Sequence, residues 1–410
     1  MHGHGNRILD HYHFHRGSLQ IMRSLTTPWI PFQWPYVIRR SLSREIEASL
    51  LAERKPTLVF GGLGSGKSTC LREAAQIISK KKPIAVIDLA VTSVSQCIEA
   101  AKKMSIKISQ VGSVSKATIN LINALPSGSA VILMHADQQD LNWLTSDLVK
   151  ASVGKTVVIE VDGSLQSLWL QMALKDSGPI GIVEVDDFSQ KVVSEIFVPK
   201  LANDIQLEAV LRVCGGRPSL LQKIAGALDD LEPAWREEQA EIAALVMSGK
   251  KQALREDSQK LEIDGLTVSR DRLLQTIGGP KSVFNLEFTE FEKQCQHLMP
   301  SADESVLETV FRMESIRYIV RALRRSGSIL VTKDPSDLNH PVLLSLLKAN
   351  FVTIKFLPAT RIVPSNNLVL EYLDAWLTVQ DENRSFAERA IYNTHLIKHR
   401  REIDSAVSNM

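Results

Sequence analysis

Short apolar runs alternate with segments of helical periodicity between residues 44 and 185. The runs are rich in Val, Ile and Leu, which is typical of strands buried on both faces. The intervening segments carry apolar residues three or four positions apart, as in helices that pack one side against a sheet. Strands of this kind joined by helices predict an α/β fold, with a parallel sheet covered by helices. The predicted strands span residues 57–60, 84–89, 130–134, 156–161 and 180–185.

The strand pattern ends near residue 187, and the remaining chain predicts a mainly helical region. After Gly327, three short β-rich runs surround a predicted helix at 341–349, a pattern compatible with a winged-helix-like fold. The basic final segment predicts a terminal helix. Further helices are predicted at 189–198, 204–213 and 219–230.

Composition restricts the function only weakly. The hydrophobic share of 44% and the charged share of 23% are ordinary for a globular protein, and the formal charge of +2 does not select nucleic acid as the partner. The four cysteines lie far apart, which indicates neither a disulfide framework nor a zinc site. The apolar runs are much shorter than the roughly 20 residues that cross a bilayer, so no membrane span is expected. We therefore expect an intracellular protein of the cytoplasm or nucleus.

The first 40 residues differ from the rest because they contain several arginines and histidines and almost no acidic residues. Such a segment is either a mitochondrial transit peptide, which would place the protein in that organelle, or a flexible polar tail. A cluster of histidines in this segment also allows a metal site, because alternate residues of an extended segment lie on one side. The cluster consists of His2, His4, His11, His13 and His15.

The segment GGLGSGKST directly follows the first predicted strand and precedes a predicted helix. It fits the P-loop pattern G-x-x-x-x-G-K-[ST], in which backbone N–H groups and the helix N-terminus surround phosphates. We expect Lys67 to reach the β- and γ-phosphates, Ser68 to coordinate Mg²⁺ and Thr69 to bond a phosphate nearer the ribose. ATP with magnesium is thus the predicted ligand pair. The predicted nucleotide-binding residues here are Gly61, Gly62, Leu63, Gly64, Ser65, Gly66, Lys67, Ser68 and Thr69.

The acid that normally holds the magnesium shell is missing from its usual place. The strand 130–134 is followed by His135 and Ala136, where P-loop ATPases usually carry an acidic pair. Asp137 is the nearest carboxylate and has two interpretations: a catalytic and metal-shell residue, or the N-cap of a following helix. Asp140 is a further candidate, and Asp162 or Ser164 after the fourth strand either approach the γ-phosphate or form a turn.

These parts together resemble the AAA-related archaeal-type and STAND-class ATPases. The resemblance includes the strand–P-loop–helix unit, the degenerate acidic strand, DFSQ at 187–190 and GGRP at 215–218. It implies that Gly216, Arg217 and Pro218 contact the nucleotide base and that a winged-helix domain follows. The usual Arg–Glu pair of the preceding helix corresponds to Arg44 and Glu45.

The resemblance implies a nucleotide-dependent switch or scaffold with a protein partner or a homo-oligomeric assembly. Weak or lost hydrolysis is expected because the acidic pair is absent, so ATPase activity, from ATP and water to ADP and phosphate, stays open. Two alternatives are a nucleic-acid-associated ATPase using Arg317, Arg321, Arg324 and Arg325, and a small-molecule P-loop kinase. The expected parts are a tail at 1–40, a P-loop NTPase domain at 41–230, a helical region at 231–304, a winged-helix-like domain at 305–380 and a C-terminal helix or tail at 381–410.

Overall fold

The computed structural model divides the chain into two compact units, Met1–Asp186 and Asp187–Met410. It describes residues 41–51, 56–90, 92–103, 112–136, 146–162, 165–176, 179–197, 204–227, 306–331, 341–349, 351–382 and 384–402, with the single positions 233, 240 and 273. The division falls where the strand pattern of the sequence ends.

The first unit contains a five-stranded sheet in which every pairing is parallel, with the order β2-β3-β4-β1-β5. The sheet confirms the predicted α/β fold. Strands β1 to β4 are buried along their whole length, as expected for Val- and Ile-rich runs covered on both faces. The strands are β1 (Thr57–Phe60), β2 (Ile84–Asp88), β3 (Ala130–Met134), β4 (Thr156–Glu160) and β5 (Gly181–Glu184).

Helices join successive strands and cover the sheet. Two of them pack against each other and supply one core cluster, in which Ile46 and Leu50 of α1 lie with Leu71 and Ile78 of α2. Every one of these four side chains is fully buried. The helices of this unit are α1 (Ser41–Leu51), α2 (Lys67–Ile78), α3 (Val94–Lys103), α4 (Val114–Ala124), α5 (Leu148–Ala151) and α6 (Leu165–Asp176).

The second unit combines helices with a small antiparallel sheet of order β6-β8-β7. Its long helix α10 packs against α12 and α13, and its three short strands lie around α11 in the chain order that the sequence predicts after Gly327. The helices are α7 (Gln190–Phe197), α8 (Asp204–Cys214), α9 (Pro218–Gly226), α10 (Val306–Ser326), α11 (Pro341–Lys348), α12 (Asn367–Glu382) and α13 (Phe386–Lys398). The strands are β6 (Ile329–Leu330), β7 (Val352–Lys355) and β8 (Arg361–Pro364).

No helix in the described part of the chain is long and apolar enough to span a membrane. The predicted tail at 1–40 and most of the predicted helical region at 231–304 lie outside the described residues.

Candidate nucleotide-binding site

The P-loop connects β1 to α2, as the sequence predicts. Gly64 and Gly66 have φ angles of 78° and 92°, in the left-handed region that glycine adopts without strain. A Cβ atom on Gly61 would lie 2.2 Å from the carbonyl oxygen of Val185, so only glycine fits there without moving the backbone. Gly66 is the N-cap of α2 and has no side chain to cap the helix. The backbone N–H groups of the first turn are thus placed where an anion can accept from them.

Lys67 begins α2 and is largely buried. Its Nζ donates hydrogen bonds to the carbonyl oxygens of Gly61 and Gly62, at 2.8 Å and 3.2 Å, so the ammonium lies inside the loop. Ser65 is buried, and its hydroxyl has no hydrogen-bond partner among the described residues. Leu63 and Thr69, by contrast, are exposed. The loop therefore combines a buried cation, a buried unpaired hydroxyl and a glycine backbone that allows close approach.

Ser68 contacts a carboxylate that is not among the predicted site residues. Its Oγ donates a hydrogen bond of 2.6 Å to Oε1 of Glu160, the last residue of β4. Glu160 is only 2% exposed, and its Oε2 has no partner among the described residues. Glu160 is registered with Val59 of β1, immediately before the loop. The strand next to β1 thus delivers an acid to the P-loop serine.

Ser68 and Glu160 fit a magnesium ion. Mg²⁺ prefers oxygen ligands and is usually bound through one or two carboxylates. A buried carboxylate oxygen without a partner, beside a serine hydroxyl, supplies that donor set. When bound, magnesium neutralises charge on phosphate oxygens. These two residues would hold it.

His135 occupies the place where an acid is usually found after β3. Its backbone has a φ of 56°, a left-handed conformation that is uncommon outside glycine. Its Nδ1 lies 2.8 Å from Oδ1 of Asp88, the last residue of the neighbouring strand β2. The side chain of Asp88 is buried, and Arg72 lies 3.5 Å from its other oxygen. The histidine is thus held by an acid from the adjacent strand.

The contacts of Asp88 favour its ionised form. Burial raises the pKa of this carboxyl, but the hydrogen bond and charge of His135 lower it, and the Ala90 N–H and Arg72 add to the decrease. The net effect is a pKa below the usual aspartate value. Asp88 therefore supplies a negative charge at the sheet edge that is already paired within the protein.

The other predicted carboxylates divide into two cases. Asp137 and Asp140 lie outside the described residues, as does Ser164, so their predicted roles stay predictions. Asp162 is described, and its Oδ1 accepts a hydrogen bond of 3.1 Å from the Ser167 hydroxyl in α6. That contact agrees with the interpretation of Asp162 as part of the turn before the helix.

The GGRP segment lies in the second compact unit. Pro218 is the first residue of α9, and Arg217 is its N-cap. The guanidinium of Arg217 is buried and donates to Asp187 at 3.3 Å and to the carbonyl of Ser365 at 2.6 Å. A Cβ on Gly216 would lie 1.9 Å from the Phe188 carbonyl oxygen. The segment thus has a packing role within its unit, and its predicted contact with a nucleotide base stays a prediction.

Of the four arginines proposed for nucleic acid, Arg317 is partly buried and is paired with Glu314 and Asp381. The other three are exposed, and they are Arg321, Arg324 and Arg325. Arg324 is paired with Asp374 at 2.6 Å.

No protein-family model matches the chain, and no curated protein matches it by sequence. Solved structures match at low identity. A Walker-type ATPase of Pyrococcus abyssi is 15% identical, with 86% of this chain and 99% of that chain covered and a TM-score of 0.45. The Orc1 protein of Aeropyrum pernix in complex with DNA is 12% identical, with coverages of 85% and 94% and a TM-score of 0.37. The origin recognition complex of Drosophila bound to DNA is 14% identical, with coverages of 87% and 91% and a TM-score of 0.35.

The P-loop connects the end of β1, an inner strand of a parallel sheet, to α2, and this arrangement defines a P-loop NTPase fold. In its sequence motifs and order of parts the chain resembles AAA-related ATPases.

Proposed function

We propose that the protein binds ATP with magnesium and acts as a nucleotide-dependent switch or scaffold, with weak or lost hydrolysis. The P-loop carries this proposal. Its left-handed glycines, the close approach at Gly61 and the buried Lys67 form a phosphate cradle directly before the N-terminus of α2. A glycine turn that served only to connect β1 with α2 would not require a buried lysine ammonium inside the loop.

The binding claim is tested with a fluorescent ATP analogue. We expect Lys67→Ala to weaken binding at least tenfold, because the variant lacks the cation that pairs with the phosphates. Lys191→Ala is the matched control, since Lys191 is exposed and pairs only at 4.0 Å with Glu195 in the same helix. Equal binding by the native protein and Lys67→Ala would refute the site.

Magnesium is assigned to Ser68 and Glu160. Glu160→Gln keeps an oxygen that can accept the Ser68 hydrogen bond but removes the negative charge. We expect Mg²⁺ to increase the ATP affinity of the native protein. The factor by which Mg²⁺ increases this affinity should be at least ten times smaller in the variant. ATP binding in EDTA should be equal in both proteins. Asp162→Asn, a change of the same type two residues along the chain, should leave the magnesium effect intact.

The same pair of residues permits a sharper test of the magnesium assignment. If Ser68 and Glu160 hold one ion, the double variant Ser68→Ala/Glu160→Gln should lose about as much of the magnesium effect as either single variant. Additive losses would mean that the two residues act separately. Mn²⁺ bound in place of Mg²⁺ gives an independent readout, because its electron spin resonance spectrum reports the bound ion directly.

Weak hydrolysis is proposed because His135 stands in place of the usual acid and is engaged by Asp88. In a P-loop ATPase the attacking water is oriented by a group near the γ-phosphate. We expect a steady-state rate below about 1 per second, the lower end of ordinary enzymes. A faster rate in pure protein that is lost in Lys67→Ala would refute this part of the proposal without affecting binding.

The switch is tested by measuring protease sensitivity and hydrodynamic radius with and without ATP. The division into two compact units supports a switch, because many ligand-dependent switches change the relative arrangement of two units. We expect ATP to change the cleavage pattern of the native protein and to leave the cleavage pattern of Lys67→Ala unchanged. No change in either measurement would leave an ATP-binding scaffold and remove the switch.

A further inference from the structure

A cleft in the second unit lies between α10, the end of α12 and α13, and its volume is about 700 Å³. Five arginines and two carboxylates line it, which gives these groups a formal charge of +3. Cavities of this size ordinarily hold a small molecule or a short segment of a larger one. We call this cavity the arginine cleft, and its five arginines are Arg317, Arg321, Arg384, Arg389 and Arg400.

The inner wall of the arginine cleft is an interlocked set of charges around Tyr392. Arg317 donates to Glu314 and Asp381, and also to the Tyr392 hydroxyl at 3.0 Å. The guanidinium of Arg384 lies 3.9 Å from the centre of the Tyr392 ring and donates to Asp381 at 3.0 Å. Both carboxylates of the cleft are therefore already neutralised by these two arginines.

Electrostatic coupling in this wall is strong. Burial raises the pKa of Tyr392 to about 12, with the charge of Glu314 acting in the same direction. Burial lowers the pKa of Arg317, but Tyr392, Glu314 and Asp381 raise it more, so the guanidinium stays charged. The wall is a fixed scaffold rather than a group of freely titrating residues.

The surplus positive charge belongs to the outer arginines. Arg321 is exposed and has no hydrogen-bond or ion-pair partner among the described residues. Arg389 is held by two hydrogen bonds of 2.9 Å to the backbone carbonyls of Arg384 and Glu382, neither of which neutralises its charge. Arg400 also lines the cleft, two residues after α13. A ligand with negative charge would complement Arg321 and Arg389.

Exposed apolar side chains line the same cleft as these arginines. Tyr318 is 39% exposed and Ile397 is 76% exposed, and both line the cleft. Arginine guanidinium planes bind phosphates bidentately and also stack on flat rings, and an exposed tyrosine offers a second stacking surface. We propose that the arginine cleft binds a nucleotide unit, with its phosphate on Arg321 and Arg389 and its base against Tyr318.

A nucleotide unit fits better than the two other polyanions. A duplex presents its phosphates along an extended surface, whereas the charge here is concentrated in one cleft. An acidic peptide would match the charge but would leave the aromatic side chain without a flat partner. The nucleotide unit has two sources, a free nucleotide or one residue of a single nucleic-acid strand, and the experiment below separates them.

The test is binding of a fluorescent single-stranded oligonucleotide without terminal phosphates to the full chain, measured by anisotropy. All measurements are made in the Lys67→Ala background without added ATP, so the P-loop does not contribute and no free nucleotide competes for the cleft. We expect Arg321→Ala to weaken binding at least fivefold and to reduce the salt dependence by the equivalent of about one phosphate contact. Arg325→Ala, an exposed arginine on the same helix outside the cleft, is the matched control. Tyr318→Ala tests stacking in the same assay.

The outcomes decide the proposal. Competition by AMP with an affinity similar to that of the oligonucleotide identifies a free nucleotide, whereas an affinity that rises with strand length identifies a nucleic-acid strand. Equal binding of poly-glutamate and oligonucleotide, with no effect of Tyr318→Ala, would overturn the nucleotide in favour of an acidic peptide. No binding at low salt, or equal losses in Arg321→Ala and Arg325→Ala, would overturn the cleft itself.

Discussion

Replacing Arg217 by alanine tests whether the GGRP segment stabilises the second unit. The side chain is 5% exposed, and its guanidinium donates hydrogen bonds to Asp187, through two nitrogens, and to the Ser365 carbonyl. These partners lie 30 and 148 residues away in the chain. Arg217 therefore connects the start of α9 to the segment before α12 by a buried hydrogen bond.

The expected loss is worked out from these contacts. A buried hydrogen bond from a charged donor, like that to Ser365, is worth about 1.5–3 kcal/mol. The pair with Asp187 adds only about 0–1 kcal/mol, because the Asp187 side chain is 33% exposed and solvent screens the charges. We expect Arg217→Ala to lower the free energy of unfolding of the second unit by about 1.5–4 kcal/mol, the sum of these two contributions.

Hydrogen exchange is the suitable assay because it reports the two units separately. Amides of α8, α9 and α12 should lose protection in Arg217→Ala, while amides of β1 to β5 should not change. Arg217→Lys should lose less, since an ammonium still donates to one of the two acceptors. Arg325→Ala, the exposed control, should cost less than about 0.5 kcal/mol. A loss below about 1 kcal/mol in Arg217→Ala would refute the reasoning.

Three further substitutions have clear expectations. Gly61→Ala should abolish nucleotide binding and destabilise the first unit, because its Cβ would lie 2.2 Å from the Val185 carbonyl oxygen; unchanged binding of a fluorescent ATP analogue would contradict this. Asp88→Asn should cost about 1–3 kcal/mol at pH 7. Because the folded pKa of Asp88 is lowered, this difference should begin to shrink below the unfolded pKa of about 3.9 and should be lost as the pH falls through the lower folded pKa, as measured by urea unfolding at a series of pH values. Ser385→Ala removes a capping box completed by Glu388 and should reduce amide protection in α13 by about 1 kcal/mol, with no effect on the first unit.

The sequence predicted the elements of the sheet well because each strand is a short apolar run. The bounds of β1 and β3 agree with the prediction, and those of the other strands differ by only one residue at either end. The P-loop also follows from local sequence, since its glycines, Lys67 and the next helix are contiguous. Features that depend on contiguous residues were therefore predictable.

Features that depend on strand order were not. Glu160 is not predicted from the sequence, because the chain order does not say that β4 lies beside β1. The pairing of His135 with Asp88 joins residues 47 positions apart and requires β2 to lie beside β3. Both contacts depend on which strands are adjacent in the sheet. The hydrophobic periodicity of the sequence contains no information about strand order. Taking every acid at a strand end as a candidate would have included Glu160.

The hydrogen bonds of Lys67 have a consequence for ligand selection. Its ammonium already donates to two neutral carbonyl oxygens of the loop, so a ligand must exchange those acceptors for its own. A neutral acceptor, such as a ribose hydroxyl of adenosine, would replace one neutral partner by another and gain little. A phosphate oxygen carries charge, and charge-assisted hydrogen bonds are roughly twice as strong as neutral ones. The loop would then bind unphosphorylated nucleosides more weakly than nucleotides, even where the base and sugar fit equally well. The reason is that Lys67 must first break its hydrogen bonds to the two loop carbonyls.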